Sequence, residues 1–295
     1  MRFFIYLSYD GGRYHGWQVQ PNGISVQQTL EECLSTVMRR EIGVTGAGRT
    51  DAGVHASMMV AHFDWDNNIP GTPLSLITED GLLNTAQLSY RLNRILPHDI
   101  AIQRIVQVPD DFHARFSATA RTYYYFLHDV KNPFLCQYSY RTHFNLDFQA
   151  MNRAAELLLS HSDFAAFCKS HTDVKTTFCH VTRAEWQQID DHRWRFVITA
   201  NRFLRNMVRA VVGTLVEVGR HRMTLDDFQR VLNGRKRTAA GESMPANALF
   251  LADIVYPDTN TSPTSPSNTN LPLKYQTSPS KIEGAGGSVM TSAEC

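Results

Sequence analysis

The residues best suited to chemistry lie in one run, residues 46–56, with the sequence GAGRTDAGVHA. Its three glycines let the backbone turn sharply and come close to a ligand. A dinucleotide-binding fingerprint would need glycine at position 51 and a helix after the run, and a P-loop would need Gly-Lys-Ser/Thr, so both motifs are excluded. What remains is Asp51, flanked by small residues that leave its carboxylate accessible. The run alone leaves two roles open for Asp51, a catalytic carboxylate or a turn cap.

The elements that must position this run follow from the periodicity of the apolar residues. The first part of the chain predicts strands over residues 2–9, 43–47, 58–64 and 100–108, and helices from Ser25 to about residue 38 and over 78–95. The second part predicts strands over 122–128, 182–189, 194–200 and 249–256, and helices over 147–159 and 204–218. Ser25 and Gln28 are expected to form a capping box. Residues 46–56 then lie in the loop between the second and third strands.

Both parts have the order β-α-β-β-α-β, which is typical of ferredoxin-like and RRM-like domains. We therefore expect an α+β fold of two tandem halves, residues 1–108 and 109–256, whose antiparallel sheets join around a central cleft. RNA-binding modules use the same strand order, but a fold does not determine a function. Of the last 39 residues, 257–295, 24 are Pro, Ser, Thr, Asn or Gly, which predicts a disordered tail.

The composition excludes several classes of protein. Apolar residues make up 43% of the chain, and no run approaches the roughly 20 apolar residues of a membrane span, so a globular protein outside the membrane is expected. The five cysteines form no C-x-x-C pair, which favours a reduced, cytoplasmic protein without a zinc site. The net charge is +1, but residues 193–237 carry 11 basic and three acidic side chains. This basic segment either follows a phosphate backbone or is a solvated helical face.

Five stretches of the chain together resemble one family. Residues 46–56 are similar to the signature loop of the tRNA pseudouridine synthase A family, and the further similar stretches are 10–18, 109–118, 121–125 and 201–209. The resemblance implies the pseudouridine synthase fold and the isomerisation of uridine to pseudouridine at positions 38, 39 and 40 of the transfer RNA anticodon stem-loop. It also implies a homodimer, and a reaction that needs neither a metal nor a small-molecule cofactor.

The resemblance also implies roles for four residues. Asp51 is the nucleophile or base, and Arg209 pairs with it to favour its ionised form. Tyr123 stacks on the target base, and Arg49 enters the helical stack as the uridine flips out. Without the resemblance, Arg209 is interpreted as a solvated helix residue, and at least one ring of residues 123–125 is expected in the core. Alternation along a strand puts the first and third of these rings on one face and the second on the other.

Two functions from different classes therefore compete. The first is an isomerase that acts on transfer RNA. The second is an RNA-binding or RNA-folding module that performs no chemistry. An accessible Asp51 paired with Arg209 distinguishes them, because binding alone would not require that pair.

Overall fold

The structure is a computed structural model that describes residues 1–66, 71–169 and 175–257. Its strands are β1 (Arg2–Tyr9), β2 (Thr45–Gly46), β3 (His55–Asp64), β4 (Ile100–Val108), β5 (Ala120–His128), β6 (Tyr140–Arg141), β7 (Val181–Asp190), β8 (Arg193–Ala200) and β9 (Leu249–Val255). Its helices are α1 (Val26–Met38), α2 (Thr85–Ile95), α3 (Phe148–Glu156), α4 (Met207–Gly219) and α5 (Leu225–Gly234). The chain is of the α+β class. The expected tail, residues 257–295, lies outside the described residues except for Pro257.

All the strands named above belong to one mixed sheet. Seven form the path β4-β1-β3-β9-β5-β8-β7, while β2 pairs with β3 and β6 pairs with β5. The blocks β4-β1-β3 and β9-β5-β8-β7 are antiparallel, as expected. They meet in a parallel pair that was not predicted, in which His55 lies opposite Phe250 and Ala56 opposite Leu251. No short turn connects β3 to β9, so hairpin geometry does not dictate their relative direction.

The buried apolar side chains form two clusters. One is built from residues between Phe3 and Ala114, with Leu251 and Ile254 of β9, and packs α1 and α2 against the first block. The other is built mainly from residues 125–249 and packs α3, α4 and α5 against the second block. Since β9 contributes to both clusters, the joint of the two blocks is also where the two cores meet.

The starts of α1 and α2 differ in part from the sequence predictions. Ser25 caps α1, because its hydroxyl accepts from the Gln28 amide at 3.2 Å. The Gln28 side chain instead donates to Glu32, so the expected capping box is only half formed. The helix predicted from residue 78 begins at Thr85. Residues 78–82 form a turn closed by the Thr78 hydroxyl, and polar side chains that satisfy backbone groups in this way compete with helix.

The second block also differs from prediction at its helices. The helix expected from residue 204 begins at Met207, because Asn206 before it adopts a left-handed conformation with φ of 66°. Helix α5 was not predicted. Thr224 and Asp227 form a capping box at its start, and Phe228, Val231 and Leu232 lie on its buried face, so the sequence does carry a signal for this helix. Among the helices of the described ranges, none combines the length and the apolar character that a bilayer crossing requires.

Candidate active site

Asp51 lies in the loop between β2 and β3, and the N-terminal region holds the backbone just before it. A Cβ atom on Gly16 would lie 2.3 Å from the carbonyl oxygen of Thr50, and Gly16 has φ of +87°, so glycine is required there. The Trp17 amide donates to the same carbonyl at 3.3 Å. The hydroxyls of Tyr9 and Thr50 lie 2.9 Å apart in the core. These contacts fix the residue that precedes Asp51.

The other end of the loop is anchored by His55, which is buried at the joint of the two blocks. Its Nδ1 lies 2.9 Å from Oδ1 of Asp10, and its Nε2 lies 3.1 Å from the carbonyl oxygen of Asn247. Its ring stacks on Phe250 with 4.7 Å between centroids. Burial lowers the pKa of His55. His55 therefore connects the end of β1, the start of β3 and the segment before β9.

A third contact holds the start of the loop. Arg121 at the start of β5 donates from its guanidinium to the carbonyl oxygens of Ala47 at 3.3 Å and of Asn201 at 2.7 Å. The same guanidinium donates to Ala118 at 3.0 Å and to Arg115 in the linker before β5. In the sequence, Arg121 belongs to the family-like stretch 121–125, which gave it no role of its own. Its contacts tie the loop of the first block to two segments of the second part of the chain.

Two arginines face the Asp51 carboxylate. Nη1 of Arg209 lies 3.7 Å from Oδ2, and Nε of Arg205 lies 3.8 Å from Oδ1. Both are ion pairs rather than hydrogen bonds at these distances. The Asp51 side chain remains 27% exposed, so it is accessible from outside. The structure thus brings together Asp51 and Arg209, the pair that the resemblance implies, and adds Arg205, which sequence reasoning did not place in the site.

The carboxylate opens into a cavity of about 710 Å³, within the size range of roughly 300–1,000 Å³ that is typical of ligand sites. The residues that line it are Asp51, Ala52, Lys169, Arg205, Asn206, Arg209, Arg237 and Ser243. One carboxylate therefore stands among four basic side chains. Such a set suits a ligand that carries negative charge.

Arg209 is fixed in place by the segment that packs on α4. Its Nε donates to the Met244 carbonyl oxygen at 2.5 Å, and its own carbonyl oxygen accepts from the Met244 amide at 3.1 Å. The segment lies close to the helix because α4 has glycine at position 213. A Cβ atom there would lie 1.8 Å from the carbonyl oxygen of Glu242. The backbone of residues 242–244 therefore sets the direction in which Arg209 points.

The three tyrosines of residues 123–125 have different surroundings. Tyr125 is fully buried, and its hydroxyl donates to the Pro245 carbonyl oxygen at 3.0 Å, so it is the core ring that was expected. Tyr124 lies under the guanidinium of Arg195 at 4.5 Å. Tyr123 packs edge-on against Phe203. Burial, and next the nearby charge of Asp51, raise the pKa of the Tyr123 hydroxyl above its ordinary value, so this hydroxyl stays protonated to a higher pH than that of an exposed tyrosine.

Arg49 is exposed two residues before Asp51. Within the described ranges its side chain forms no hydrogen bond and no ion pair, so it is available to a ligand. It does not line the cavity. Its entry into a helical stack stays a prediction.

The site residues that sequence reasoning missed had weak signals. Arg205 lies four positions before Arg209, a spacing that would place both on one helix face, although α4 begins only at Met207. Arg237 appeared only as part of the basic segment, and nothing in the sequence marked Ser243. Within the described ranges, no group of three or more His, Cys, Asp or Glu side chains is placed to hold a metal ion.

Comparison with known proteins gives a consistent set of similarities. A sequence model of the family described as tRNA pseudouridine synthase matches residues 5–117 and 154–257. Asp51, Arg205 and Arg209 lie within the matched ranges, and Tyr123 lies between them.

The chain is also similar to proteins named tRNA pseudouridine synthase A. It is 54% identical to the protein of Bacteroides fragilis over 256 residues, which cover 87% of this chain and 96% of the relative. It is 52% identical to the protein of Bacteroides thetaiotaomicron over 259 residues, 87% of this chain and 91% of the relative. The identity to the protein of Syntrophotalea carbinolica is 40% over 257 residues, 85% of this chain and 95% of the relative.

Proposed function

The chain belongs to the tRNA pseudouridine synthase family, and from that premise we propose that Asp51 is the carboxylate with which it isomerises uridine in transfer RNA. The activity of the protein is the conversion of uridine to pseudouridine. The observation that carries the assignment of Asp51 is its position: among the residues that line the cavity, it is the one carboxylate, and two arginines face it.

The reaction rearranges bonds without a net change in atoms or electrons. The bond from ribose C1′ to N1 of the base breaks, the base turns in the pocket, and C1′ bonds to C5. C5 then gives up its proton and N1 takes one up. Asp51 acts either as a nucleophile on C1′ or as a base on the C2′ proton to give a glycal. Both routes need an ionised carboxylate aimed at the sugar, and Arg209 favours that form and direction.

Two further residues stabilise the flipped-out uridine in this proposal. Tyr123 stacks on the flipped uracil from the joint between the blocks, and its protonated hydroxyl is available as a hydrogen-bond donor. Arg49 fills the space that the uridine leaves in the RNA stack, which suits an exposed side chain without a partner in the described ranges. A paired base cannot be reached inside a helix, so some side chain must stabilise the flipped arrangement.

The substrate in this proposal is the anticodon stem-loop, with the target uridines at positions 38, 39 and 40. The basic segment 193–237 follows the phosphate backbone through counterion release, which does not depend on sequence. The functional unit is a homodimer in the cytoplasm, where a second subunit extends the basic surface toward distant parts of the transfer RNA.

The fold supports a finer interpretation of the two parts of the chain. In the first part, β4 pairs with β1, β1 with β3, and β3 with β2, so the strands counted along the chain stand in the order fourth, first, third, second. In the second part, when the two-residue β6 is set aside, β9-β5-β8-β7 stand in the same order. We propose that the halves 1–108 and 109–256 are two tandem ferredoxin-like units, with the site at their joint.

Release of tritium from C5 of uridine tests this function. The substrate is an unmodified transfer RNA transcript made with 5-tritiated uridine, and the control transcript has cytidine at positions 38, 39 and 40. The proposal expects tritium release from the first and none from the second. Equal release from both transcripts would contradict the choice of positions. Tight binding of both without release would favour the RNA-binding module instead.

A further inference from the structure

The cavity beside Asp51 carries more positive charge than its carboxylate can balance. Among the described residues that line it, three arginines, Arg205, Arg209 and Arg237, share it with the single carboxylate of Asp51. The formal sum of these four groups is +2 when that carboxylate is ionised. The isomerisation itself needs one cation to direct the carboxylate, so the remaining charge calls for a second anion in the same cavity.

The two arginines that face Asp51 differ in how firmly they are held. Arg209 is 22% exposed, and it is fixed by its hydrogen bond to the Met244 carbonyl oxygen. Arg205 is 56% exposed, and within the described ranges its side chain has no polar contact other than the 3.8 Å ion pair. An exposed ion pair of this length contributes little stability. Arg205 can therefore leave Asp51 readily, whereas Arg209 cannot.

Arg237 supplies a fixed cation on the same cavity wall. Its guanidinium donates to the Gly241 carbonyl oxygen at 2.9 Å and to the Ser243 hydroxyl at 2.8 Å. Neither partner is a carboxylate, and none of the ion pairs among the described residues involves Arg237. Its charge is therefore held in position without being neutralised. A planar guanidinium in this state is well suited to a phosphate oxygen.

We propose that Arg205 leaves Asp51 when RNA enters the cavity and, together with Arg237, binds the phosphodiester next to the target uridine. This inference rests on the proposed function. The exchange has two consequences. The anionic backbone is held close to an anionic carboxylate without net repulsion, and Asp51 keeps Arg209 as its sole guanidinium partner while it reacts.

A double-mutant cycle between protein and RNA tests the exchange. The protein variants are Arg205→Ala and Arg205→Lys, with unfolding temperature as the check on folding. The RNAs are anticodon stem-loops that carry one uncharged methylphosphonate linkage, either 5′ or 3′ of the target uridine. The control variant is Arg183→Ala, since Arg183 is also an exposed arginine paired with a carboxylate, but lies on β7 outside the cavity. Both the dissociation constant and the rate of tritium release are measured.

With the natural RNA, Arg205→Ala is expected to weaken binding by about tenfold to a hundredfold, as for a lost hydrogen bond between charged groups. With the RNA that lacks the contacted phosphate charge, the same substitution should change binding by less than about threefold. Arg205→Lys should retain part of the affinity, and Arg183→Ala should behave as the wild type with every RNA.

Equal effects of Arg205→Ala on the natural RNA and on both methylphosphonate RNAs would overturn the inference. That failure is distinct from failure of the proposed function, which would appear as binding without tritium release by the wild type. The cycle on dissociation constants gives its answer in either case, because it does not require turnover.

Discussion

The two walls of the cavity differ in how uniformly their side chains are held. The carboxylate wall, residues 46–56 with Asp51, is held by close backbone packing, by His55 at the joint and by the guanidinium of Arg121. The cation wall, Lys169, Arg205 and Arg237, includes an exposed side chain whose one polar contact among the described residues is a long ion pair. A group that must meet one atom of the sugar needs fixed geometry. A group that holds a phosphate needs only a positive charge within reach, so its side chain can be less firmly fixed.

Among changes that leave Asp51 itself in place, the largest expected effect comes from breaking the carboxylate wall with Gly16→Ala. The added Cβ would lie 2.3 Å from the Thr50 carbonyl oxygen at a φ of +87°, so the backbone beside Asp51 must shift. We expect a loss of about 2–4 kcal/mol in the free energy of unfolding and a loss of turnover of more than about a hundredfold. Urea unfolding and tritium release measure the two effects.

Gly43→Ala is the matched control for this change. Its added Cβ would have a single neighbour, the Glu31 side chain at 3.8 Å, so stability and turnover should stay near those of the wild type. Wild-type turnover in Gly16→Ala would show that the position of Asp51 does not depend on this packing.

A second test concerns the strand that supports the carboxylate wall. His62 on β3 is buried, and its Nδ1 accepts from the Ala114 amide at 3.1 Å. Burial, and next the charges of Arg2 and His113, lower the pKa of His62 from 6.5 to about 4. The unfolded chain therefore takes up a proton at this residue before the folded protein does. Stability from His62 is complete above about pH 6.5 and falls as the pH drops toward 4, by at most about 3 kcal/mol.

Urea unfolding at pH 7 and pH 5 measures this dependence. His62→Gln should reduce the difference between the two pH values, whereas His98→Gln, a change at an exposed histidine, should leave it as in the wild type. An unchanged difference in His62→Gln would assign the acid sensitivity to other groups.

A smaller effect is expected from Arg209→Ala, which removes the cation held beside Asp51 but leaves the carboxylate wall intact. Asp51 then loses the partner that directs it, so single-turnover tritium release should slow by about tenfold to a hundredfold. The dissociation constant for the RNA should change less than the rate. A larger loss in binding than in rate would mean that Arg209 mainly holds phosphate, which would erase the difference between it and Arg205.

The smallest effect is expected from Arg49→Ala. The residue is exposed, and in the described part of the chain it forms no polar contact, so stability should not change. Turnover should fall by roughly tenfold or less on a paired target uridine, and by less still when a mismatch opposite the target has already opened the pair. Equal losses on the two RNAs would argue against a role for Arg49 in filling the stack.

Much of this arrangement could be predicted from the sequence. The apolar alternation gave the long strands close to their observed bounds, because their buried faces repeat with a clear period. Asp51 and Arg209 could be paired because both lie in motifs of one family. The start of α2 was wrong because residues 78–82 close a local turn, which the apolar pattern does not record.

The parts that could not be predicted depend on contacts between distant segments. The parallel pair of β3 and β9 brings His55 opposite Phe250, and the sequence near either residue does not specify this pairing. Arg205 lies before the start of α4, which begins only after the left-handed Asn206, and among the described residues its side chain has no hydrogen-bond partner comparable to the Met244 carbonyl oxygen that holds Arg209. The apolar pattern alone does not distinguish two arginines four positions apart; the family resemblance implies a role for Arg209, and the fold shows how differently the two side chains are held.

The central claim is that Asp51 supplies the chemistry while the surrounding cations supply the binding. Asp51→Asn tests it most directly, because the amide keeps the shape of the side chain and removes its charge and nucleophilicity. Tritium release and the dissociation constant are measured on the same unmodified transfer RNA. The account predicts that release is abolished while the dissociation constant stays within about threefold of the wild-type value. Turnover at the wild-type rate, or a loss of binding as large as the loss of turnover, would contradict it.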